Sequence, residues 1–222
     1  MKRIVLLLST VLPWGMRRRI LNCLPGVELH PGSRIGLSIV SPRRILVMEE
    51  GARIGHLNVI WNIDRLHLGK ESRIGQFNWV SAIRPEGTTI FDAYPDRRSE
   101  LVVGASAGIT QRHYIDCSDS VRLDEFSAIG GVRCAVLAHH INLHTGRQGC
   151  APVRIGPYSL VSTNCVLLGG AVLPDHSILG AHSLLIGDPG PSHRLYVGSP
   201  ARPVKEYPPD LAYFQRQKIR TF

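Results

Sequence analysis

A strict six-residue repeat runs through residues 153–187. Each copy is a small residue followed by two aliphatic residues, and five copies follow one another without a slip: Ser159-Leu160-Val161, Cys165-Val166-Leu167, Ala171-Val172-Leu173, Ser177-Ile178-Leu179 and Ser183-Leu184-Leu185. An α-helix repeats its buried positions about every 3.6 residues, and a half-buried strand repeats them every 2. A period of six with turn-forming residues between the triplets fits neither, and it predicts an all-β chain, a parallel β-helix with three hexads in each triangular coil. We expect the third residue of each triplet to point inward and to stack on its equivalent in the next coil.

A less regular repeat indicates that the β-helix begins much earlier in the chain. One short motif occurs three times at nearly equal spacing, as Ser33-Arg34-Ile35-Gly36, Ala52-Arg53-Ile54-Gly55 and Ser72-Arg73-Ile74-Gly75. Each step equals one coil of three hexads plus one or two extra residues at a corner. The same spacing predicts that Asn58 lies above Asn78 at such a corner, where Asn suits a tight turn.

Two interruptions of the period predict loops that project from the β-helix. The β-helix is expected to span residues 27–190, with inserted loops at 84–100 and 139–152. After a slip near Asp119, inward positions are predicted at Leu123, Ile129 and Ala135. The polar loop 84–100 is either a tolerated insertion or a lid over a neighbouring site.

The N-terminal segment, residues 1–26, predicts one or two short helices with Pro13 between them. Its apolar run, residues 4–12, is too short to cross a bilayer, which needs about 20 residues. No small-residue cleavage site follows the run, so we expect the segment to be retained. It is either a helical cap on the open first coil or a segment that lies in a membrane surface.

The C-terminal segment, residues 191–222, predicts an exit from the β-helix followed by a short amphipathic helix. Asp210 is a plausible N-cap, and Leu211 and Phe214 would form the apolar face of that helix. Three cations would lie near its C-terminal end, where the helix dipole favours them: Arg216, Lys218 and Arg220.

Charge and cysteine content limit the function classes. The formal net charge is +9, but the cations are dispersed, without aromatic interleaving or a recognition motif, which argues against nucleic-acid binding. A basic surface suits an anionic coenzyme, an anionic glycan or an acidic membrane face. The five cysteines form no C-x-x-C pair, so we interpret them as small buried side chains in a reducing cytoplasm.

Three features together make the chain resemble the hexapeptide-repeat acyltransferases. These are the hexads, the interruption 138–156 with its motif Ala138-His139-His140-Ile141-Asn142-Leu143-His144, and the tail Val197-Gly198-Ser199-Pro200-Ala201-Arg202-Pro203-Val204. Members of that family are left-handed β-helix enzymes that acetylate sugars, serine and some antibiotics. The resemblance implies a homotrimer, with an acyl-CoA co-substrate in the groove between adjacent subunits and no metal ion.

The resemblance also implies a catalytic histidine at the start of the irregular loop. His139 matches that position, and His140 remains the alternative, because one residue of register decides which side chain points out of the coil. A neutral imidazole can take the proton of a hydroxyl as it attacks a thioester. Asp116, roughly one coil earlier, is our candidate for the carboxylate that orients the ring. Many relatives carry an acidic residue shortly after the histidine, whereas this chain has Asn142.

By the same resemblance, two groups of residues would hold the coenzyme. The pantetheine arm would pass Ser162, Thr163, Gly180 and Ala181. The adenosine and phosphates would lie near Ser199, Arg202 and Lys205. The alternative for Arg202 and Lys205 is that they are solvated charges of the tail.

By this resemblance, we expect a cytoplasmic O-acetyltransferase that transfers an acetyl group from acetyl-CoA to a hydroxyl of a saccharide, such as a surface-polysaccharide precursor. An acyl carrier protein as donor and an amine as acceptor stay open. One alternative is a zinc-dependent hydratase of the γ-carbonic anhydrase type, with ligands among His113, His139, His140 and His144. Another alternative is a non-catalytic scaffold. Contact of residues 1–20 with a membrane would favour a lipid-linked glycan as acceptor.

Overall fold

The computed structural model describes residues 2–84 and 89–217. The chain begins with α1 (Lys2–Leu8), a 3-10 turn (Ser9–Val11) and α2 (Trp14–Asn22). Pro13 separates the two helices, as the sequence predicts, because its ring cannot continue a helix and fits just before a new first turn. Short strands make up nearly all of the remaining regular structure.

Within the described residues, twenty-five strands follow in chain order. The first eleven are β1 (Val27–Leu29), β2 (Arg34–Ile35), β3 (Ile39–Ser41), β4 (Ile45–Met48), β5 (Arg53–Ile54), β6 (Val59–Trp61), β7 (Arg65–Leu68), β8 (Arg73–Ile74), β9 (Trp79–Ser81), β10 (Glu100–Val103) and β11 (Gly108–Ile109). The next seven are β12 (Tyr114–Asp116), β13 (Val121–Leu123), β14 (Ala128–Ile129), β15 (Ala135–Leu137), β16 (His139–Asn142), β17 (Arg147–Cys150) and β18 (Val153–Ile155). The last seven are β19 (Leu160–Val161), β20 (Val166–Leu168), β21 (Val172–Leu173), β22 (Ile178–Leu179), β23 (Leu184–Leu185), β24 (Arg194–Gly198) and β25 (Ala201–Glu206).

These strands form the three faces of a parallel β-helix, as the hexad period predicts. Sheet A has the order β1-β4-β7-β10-β13-β18-β21, sheet B runs β2-β5-β8-β11-β14-β19-β22-β24-β25, and sheet C runs β3-β6-β9-β12-β15-β20-β23. In the regular part, paired residues are three hexads apart in the sequence, for example Leu160 and Ile178. Every inward third residue of the five triplets is fully buried, so the stacked aliphatic core is confirmed.

One inward position differs from the prediction. Val136 is fully buried and pairs below with Ile115, whereas the side chain of Ala135 is only half-buried. The inward positions after Ile129 are therefore shifted by one residue relative to strict hexads. The corner between them holds the extra residue, with Gly131 and Arg133 both in the left-handed region.

A ladder of buried polar side chains fills the corner between sheets B and C. Asn78 donates its backbone N–H to the side-chain oxygen of Asn58 at 3.0 Å, so the predicted stacking of the two is confirmed. The backbone N–H of His113 then donates to Asn78 at 3.0 Å, and the backbone N–H of Cys134 donates to the His113 ring at 3.1 Å. Each of these side chains accepts a hydrogen bond from a backbone N–H that is buried at the corner and shielded from water. Without it, that N–H would have no partner.

The N-terminal helices cover the open end of the first coil. Leu6 and Leu21 are fully buried in the core. Arg17 is also buried, and its guanidinium donates to the carbonyl oxygens of Gly36 and Ser38. Neither helix of the described chain has the length and apolar content needed to cross a membrane.

The C-terminal segment corrects the predicted helix. After residue 190, β24 joins sheet B and β25 folds back antiparallel against it. Residues 207–217 form turns and no helix, because Phe214 packs edge-on against the rings of His176 and His193 and holds the chain against the β-helix. Lys218 and Arg220 of the predicted helix lie outside the described residues.

Candidate active site

The predicted irregular loop at 139–152 is a β-hairpin that projects from the corner between sheets C and A. Strands β16 and β17 pair antiparallel, with His139 opposite Cys150 and His140 opposite Gly149. The hairpin begins one residue after Ala138, which is fully buried. The rigid end of β15 therefore fixes the position at which His139 leaves the coil.

Asp116 holds His139 through two hydrogen bonds. The ring Nδ1 of His139 lies 2.6 Å from Oδ2 of Asp116, and the backbone N–H of His139 donates to the same oxygen at 3.0 Å. The Asp116 side chain is only 3% exposed, and its other oxygen accepts the hydroxyl and the backbone N–H of Ser118. Because a carboxylate only accepts, Nδ1 carries the proton and the lone pair is on Nε2.

His140 lies in a different environment. Neighbouring residues of a strand point to opposite sides, so His140 leaves the hairpin on the other face from His139. Its ring packs over Gly149: a Cβ at that glycine would lie 2.6 Å from Nε2 of His140 and 2.8 Å from the hydroxyl of Tyr94. The structure thus brings Asp116 to His139 and not to His140.

The other predicted insertion, residues 84–100, lies beside this hairpin. Arg97 anchors the segment 89–98, because its guanidinium donates to the carbonyl of Ser118 and packs 4.8 Å from the ring centre of Phe91. Residues 85–88 of the insertion are outside the described range. A cleft of about 590 Å³ lies between segment 89–98, called the arm below, and the corner between sheets C and A. The residues that line it include Tyr94, Asp96, Arg98, Asp119, Arg122 and Cys150.

The predicted pantetheine residues do not meet His139 within one chain. Ser162 and Thr163 precede β20, Gly180 and Ala181 precede β23, and all four lie at the corner where sheet C begins. His139 instead follows the C-terminal end of β15, so it lies at the corner where sheet C ends. In one chain, the width of sheet C therefore separates the two predicted halves of the site.

Two glycines of the turns between the triplets, which the predicted site does not include, lie on the next coil at the His139 corner. A Cβ at Gly169 would approach the carbonyl oxygens of Ala138 and Ala151 to 3.3 and 3.4 Å, and Gly170 has a φ of +87°. The signal in the sequence was the Gly-Gly pair itself, one coil after the histidine.

The predicted phosphate-contacting residues lie on the terminal hairpin of sheet B. Ser199, Arg202 and Lys205 are all exposed. Arg202 donates to the carbonyl of Ala201 at 3.3 Å, and the ammonium group of Lys205 lies 5.3 Å from the ring centre of Tyr207. Both cations remain accessible to an anion.

His113, one of the four histidines of the zinc alternative, is engaged in the interior. Its Nε2 is 2.9 Å from the hydroxyl of Thr110, and its Nδ1 accepts the backbone N–H of Cys134. Burial lowers the pKa of this imidazole to about 4. Within residues 2–84 and 89–217, no three His, Cys, Asp or Glu side chains are grouped in a way that could hold a metal ion.

Comparisons with known proteins identify the fold. No protein-family model matches the chain, and no curated protein matches its sequence. A hexapeptide-repeat-containing acetyltransferase from Vibrio cholerae is 20% identical over 63% of this chain and 73% of its own, with a TM-score of 0.51.

Two structures of AntD, an N-acyltransferase from Bacillus cereus, match more of the chain. A mutant of AntD in complex with dTDP-4-amino-4,6-dideoxyglucose and coenzyme A is 13% identical over 86% of this chain and 89% of its own, with a TM-score of 0.55. AntD with dTDP and 3-hydroxybutyryl-CoA gives 15% identity over 80% and 84%, with a TM-score of 0.50. At such identities the likeness establishes the fold, so the left-handed parallel β-helix of hexapeptide repeats is confirmed.

Proposed function

We propose that the protein is an acyl-CoA-dependent O-acyltransferase that transfers an acetyl group to a hydroxyl of a saccharide. The observation that carries the proposal is the pair formed by His139 and the buried Asp116, with 2.6 Å between Nδ1 and Oδ2. The side chain of His139 is 29% exposed, so its Nε2 side can be reached by an acceptor. The fold shared with acyltransferases that bind coenzyme A supports the same conclusion.

The geometry supports direct transfer with His139 as general base. Nε2 removes the proton of the acceptor hydroxyl while its oxygen attacks the thioester carbonyl carbon. The tetrahedral intermediate then collapses, the carbon–sulfur bond breaks, and the imidazolium returns the proton to the departing thiolate. Asp116 accepts the Nδ1–H bond throughout and stabilises the positive charge that develops on the ring.

The buried cysteines do not offer a nucleophile for a covalent acyl-enzyme. Burial raises the pKa of the Cys150 thiol to about 12 and that of Cys117 well above its ordinary value. The neighbouring Cys134 lowers the pKa of the Cys165 thiol to about 7, but Cys165 is fully buried in the core, where no substrate reaches it. Attack needs an accessible thiolate. The exposed Cys23 follows α2 at the N-terminal end of the β-helix, several coils from His139, so a ternary complex of both substrates is the simpler route.

In this proposal the enzyme works as a homotrimer. Because sheet C separates His139 from Ser162, Thr163, Gly180 and Ala181, a neighbouring subunit would bring its groove residues against His139. Arg202 and Lys205 on the exit hairpin would then contact the anionic end of the coenzyme. The free cysteines suit a cytoplasmic enzyme, where acyl-CoA donors are available.

We assign the sugar rings beyond the attacked hydroxyl to the cleft between the arm and the hairpin. His139 is not among the lining residues of this cleft, so the attacked hydroxyl would have to extend out of it to reach Nε2. The lining of the cleft contains both donors and acceptors, among them Arg98, Asp96 and Asp119, and Tyr94 supplies a ring and a hydroxyl. Arg122 also lines the cleft, and its guanidinium is paired with Asp124. Such a lining suits the many hydroxyls of a saccharide. A surface-polysaccharide precursor is the acceptor we favour, and an amino sugar is the second candidate because AntD is an N-acyltransferase.

Acetyl-CoA turnover tests the proposal directly. Release of coenzyme A thiol would be followed with a panel of neutral, anionic and amino sugars, for the wild type and for His139→Ala and His140→Ala. We expect acceptor-dependent release that is lost in His139→Ala and kept in His140→Ala. Calorimetry with acetyl-CoA completes the test: tight binding to both the wild type and His139→Ala supports a base, and no binding to either would overturn the choice of donor.

A further inference from the structure

The outer face of the N-terminal helices is apolar although nothing in the described chain covers it. Ile4, Leu8 and Val11 are 60%, 71% and 81% exposed, and Met16 and Ile20 on α2 are also exposed. Ile4 with Leu8, and Met16 with Ile20, are four residues apart, so each helix presents its own outward apolar pair. Five exposed aliphatic side chains therefore cluster on one end of the β-helix.

The N-terminal segment itself is basic, and the first carboxylate beside it is the exposed Glu28 on β1. From residue 2 to residue 27 the sequence contains five basic residues and no acidic one. Arg19 is exposed and Arg18 half-buried on α2, and Arg34 is exposed on the adjoining first coil. Two of the five basic residues turn toward the β-helix, since Arg3 donates to Asn62 and Arg17 to the carbonyl oxygens of Gly36 and Ser38. The exposed apolar side chains together with the remaining cations suit an anionic lipid surface, where the aliphatic groups enter the headgroup region and the cations meet phosphates.

The helices are fixed in this orientation by their inner contacts. Arg17 points inward from α2 and bonds the carbonyl oxygens of Gly36 and Ser38, while the Trp14 ring nitrogen donates to Ser33 at 2.9 Å. Rotating α2 to bury Met16 would remove those bonds from a buried arginine, which is costly. The apolar face is therefore held outward by the fold.

We propose that Ile4, Leu8, Val11, Met16 and Ile20 form a docking face for an anionic lipid bilayer. The face caps the end of the solenoid, so binding leaves the lateral faces free. Strand β15, which leads to His139, is the fifth strand of sheet C from that end, and the four intervening steps of about 4.8 Å place the catalytic corner about 20 Å from the membrane end. If the proposed acyl transfer is correct, this spacing suits a saccharide attached to a lipid by its reducing end.

Vesicle co-sedimentation of the full chain tests the docking face without any acyltransferase assay. The probes are vesicles of phosphatidylcholine alone and vesicles of phosphatidylcholine mixed with phosphatidylglycerol. The test variant is Leu8→Ser/Val11→Ser, and the matched control is Leu143→Ser, which changes an equally exposed leucine, 90% accessible, on the tip of the hairpin. We expect the wild type and the control to bind the anionic vesicles, and the double variant to bind at least tenfold more weakly.

Three results would overturn the docking face. They are equal binding of the wild type to neutral and anionic vesicles, no binding to either, and unchanged binding of the double variant. A smaller oligomer in the double variant, measured by light scattering, would instead identify the face as an interface between copies of the chain. Turnover of a soluble sugar in the absence of vesicles is a separate measurement, so failure of acyl transfer and failure of membrane docking are distinguishable.

Discussion

The Asp116 carboxylate reaches His139 from the coil below, with 2.6 Å between Oδ2 and Nδ1 and a second bond to the backbone N–H of His139. Asp116 pairs with Leu137 in sheet C, so the carboxylate belongs to a rigid strand and not to the hairpin. The backbone bond fixes where the hairpin starts, and the ring bond fixes the tautomer. One buried side chain thus orients both the loop and its base.

Asp116→Asn should separate these two roles. The amide oxygen can still accept the ring and backbone hydrogen bonds of His139, but the amide carries no charge to stabilise the imidazolium. We expect kcat for acetyl transfer to fall by about 10²- to 10⁴-fold, while KM for acetyl-CoA changes little. The measurement is steady-state release of coenzyme A thiol. A parallel Ser118→Ala variant, which removes one donor to Asp116 but keeps its charge, should lose far less, and equal losses would contradict the charge argument.

The pairing of His139 with Asp116 could be suggested from the sequence, but its geometry could not. Hexad counting places two residues one coil apart near the same corner, and this spacing indicates Asp116 as a partner for His139. The count cannot reveal the extra residue before Val136 that sets the register of β15, since it depends on the left-handed conformations at Gly131 and Arg133. Nor does local pattern reveal the pairing of β16 with β17, which has no apolar alternation at its exposed positions.

His113 should make the protein less stable in mild acid. Burial lowers its pKa to about 4, whereas an unfolded histidine titrates near 6.5. As the pH falls below about 6.5, the unfolded chain binds a proton that the native site refuses, so stability is lost progressively until about pH 4. The full loss is about 3 kcal/mol in the free energy of unfolding. Urea unfolding at several pH values measures it.

His113→Asn is the matched control for the acid effect. Asn58 and Asn78 occupy the equivalent corner positions of the preceding coils, and the oxygen of the introduced amide could accept the Cys134 N–H in the same manner. The two proteins share all their other histidines. The difference between them in how the free energy of unfolding changes with pH therefore reports on His113 alone. A variant with the same pH dependence as the wild type would show that His113 is not the source.

Gly75→Ala should disrupt the corner between sheets B and C. A Cβ at Gly75 would lie 2.0 Å from the carbonyl oxygen of Thr110 on the next coil. Relieving this overlap would require the backbone of one of the two coils to shift. We expect a loss of about 2–4 kcal/mol in the free energy of unfolding, or no folded protein. Gly15→Ala is the control: nothing lies within 4 Å of its Cβ, and alanine in α2 should stabilise by up to about 1 kcal/mol. Chemical denaturation of both variants checks the contrast.

The fold was more predictable than its ends because a repeat constrains each coil by its neighbours. Val161 and Leu179 occupy equivalent positions in neighbouring coils. Knowing that one of them points into the core therefore predicts that the other does too. The residues after 190 have no such partner in the pattern. Asp210 and Leu211 carry a plausible helix start, yet local propensity was overruled by the contacts of Phe214 with rings on the β-helix.

Phe214 should control how often the C-terminal segment detaches. Its ring meets His176 and His193 edge-on at 5.5 and 5.7 Å between ring centres, and the side chain is 3% exposed. Burying such a ring is worth about 1.5–3 kcal/mol, which corresponds to about 10- to 150-fold in the population of the open form. Phe214→Ala should therefore speed tryptic cleavage after Arg216 by about that factor, while thermal unfolding of the β-helix shifts little.

Phe214→Leu should recover most of the protection, because it restores apolar volume at the same place. Unchanged cleavage in Phe214→Ala would mean that Arg216, which lies over the rings of Tyr158 and Tyr213, holds the segment by itself.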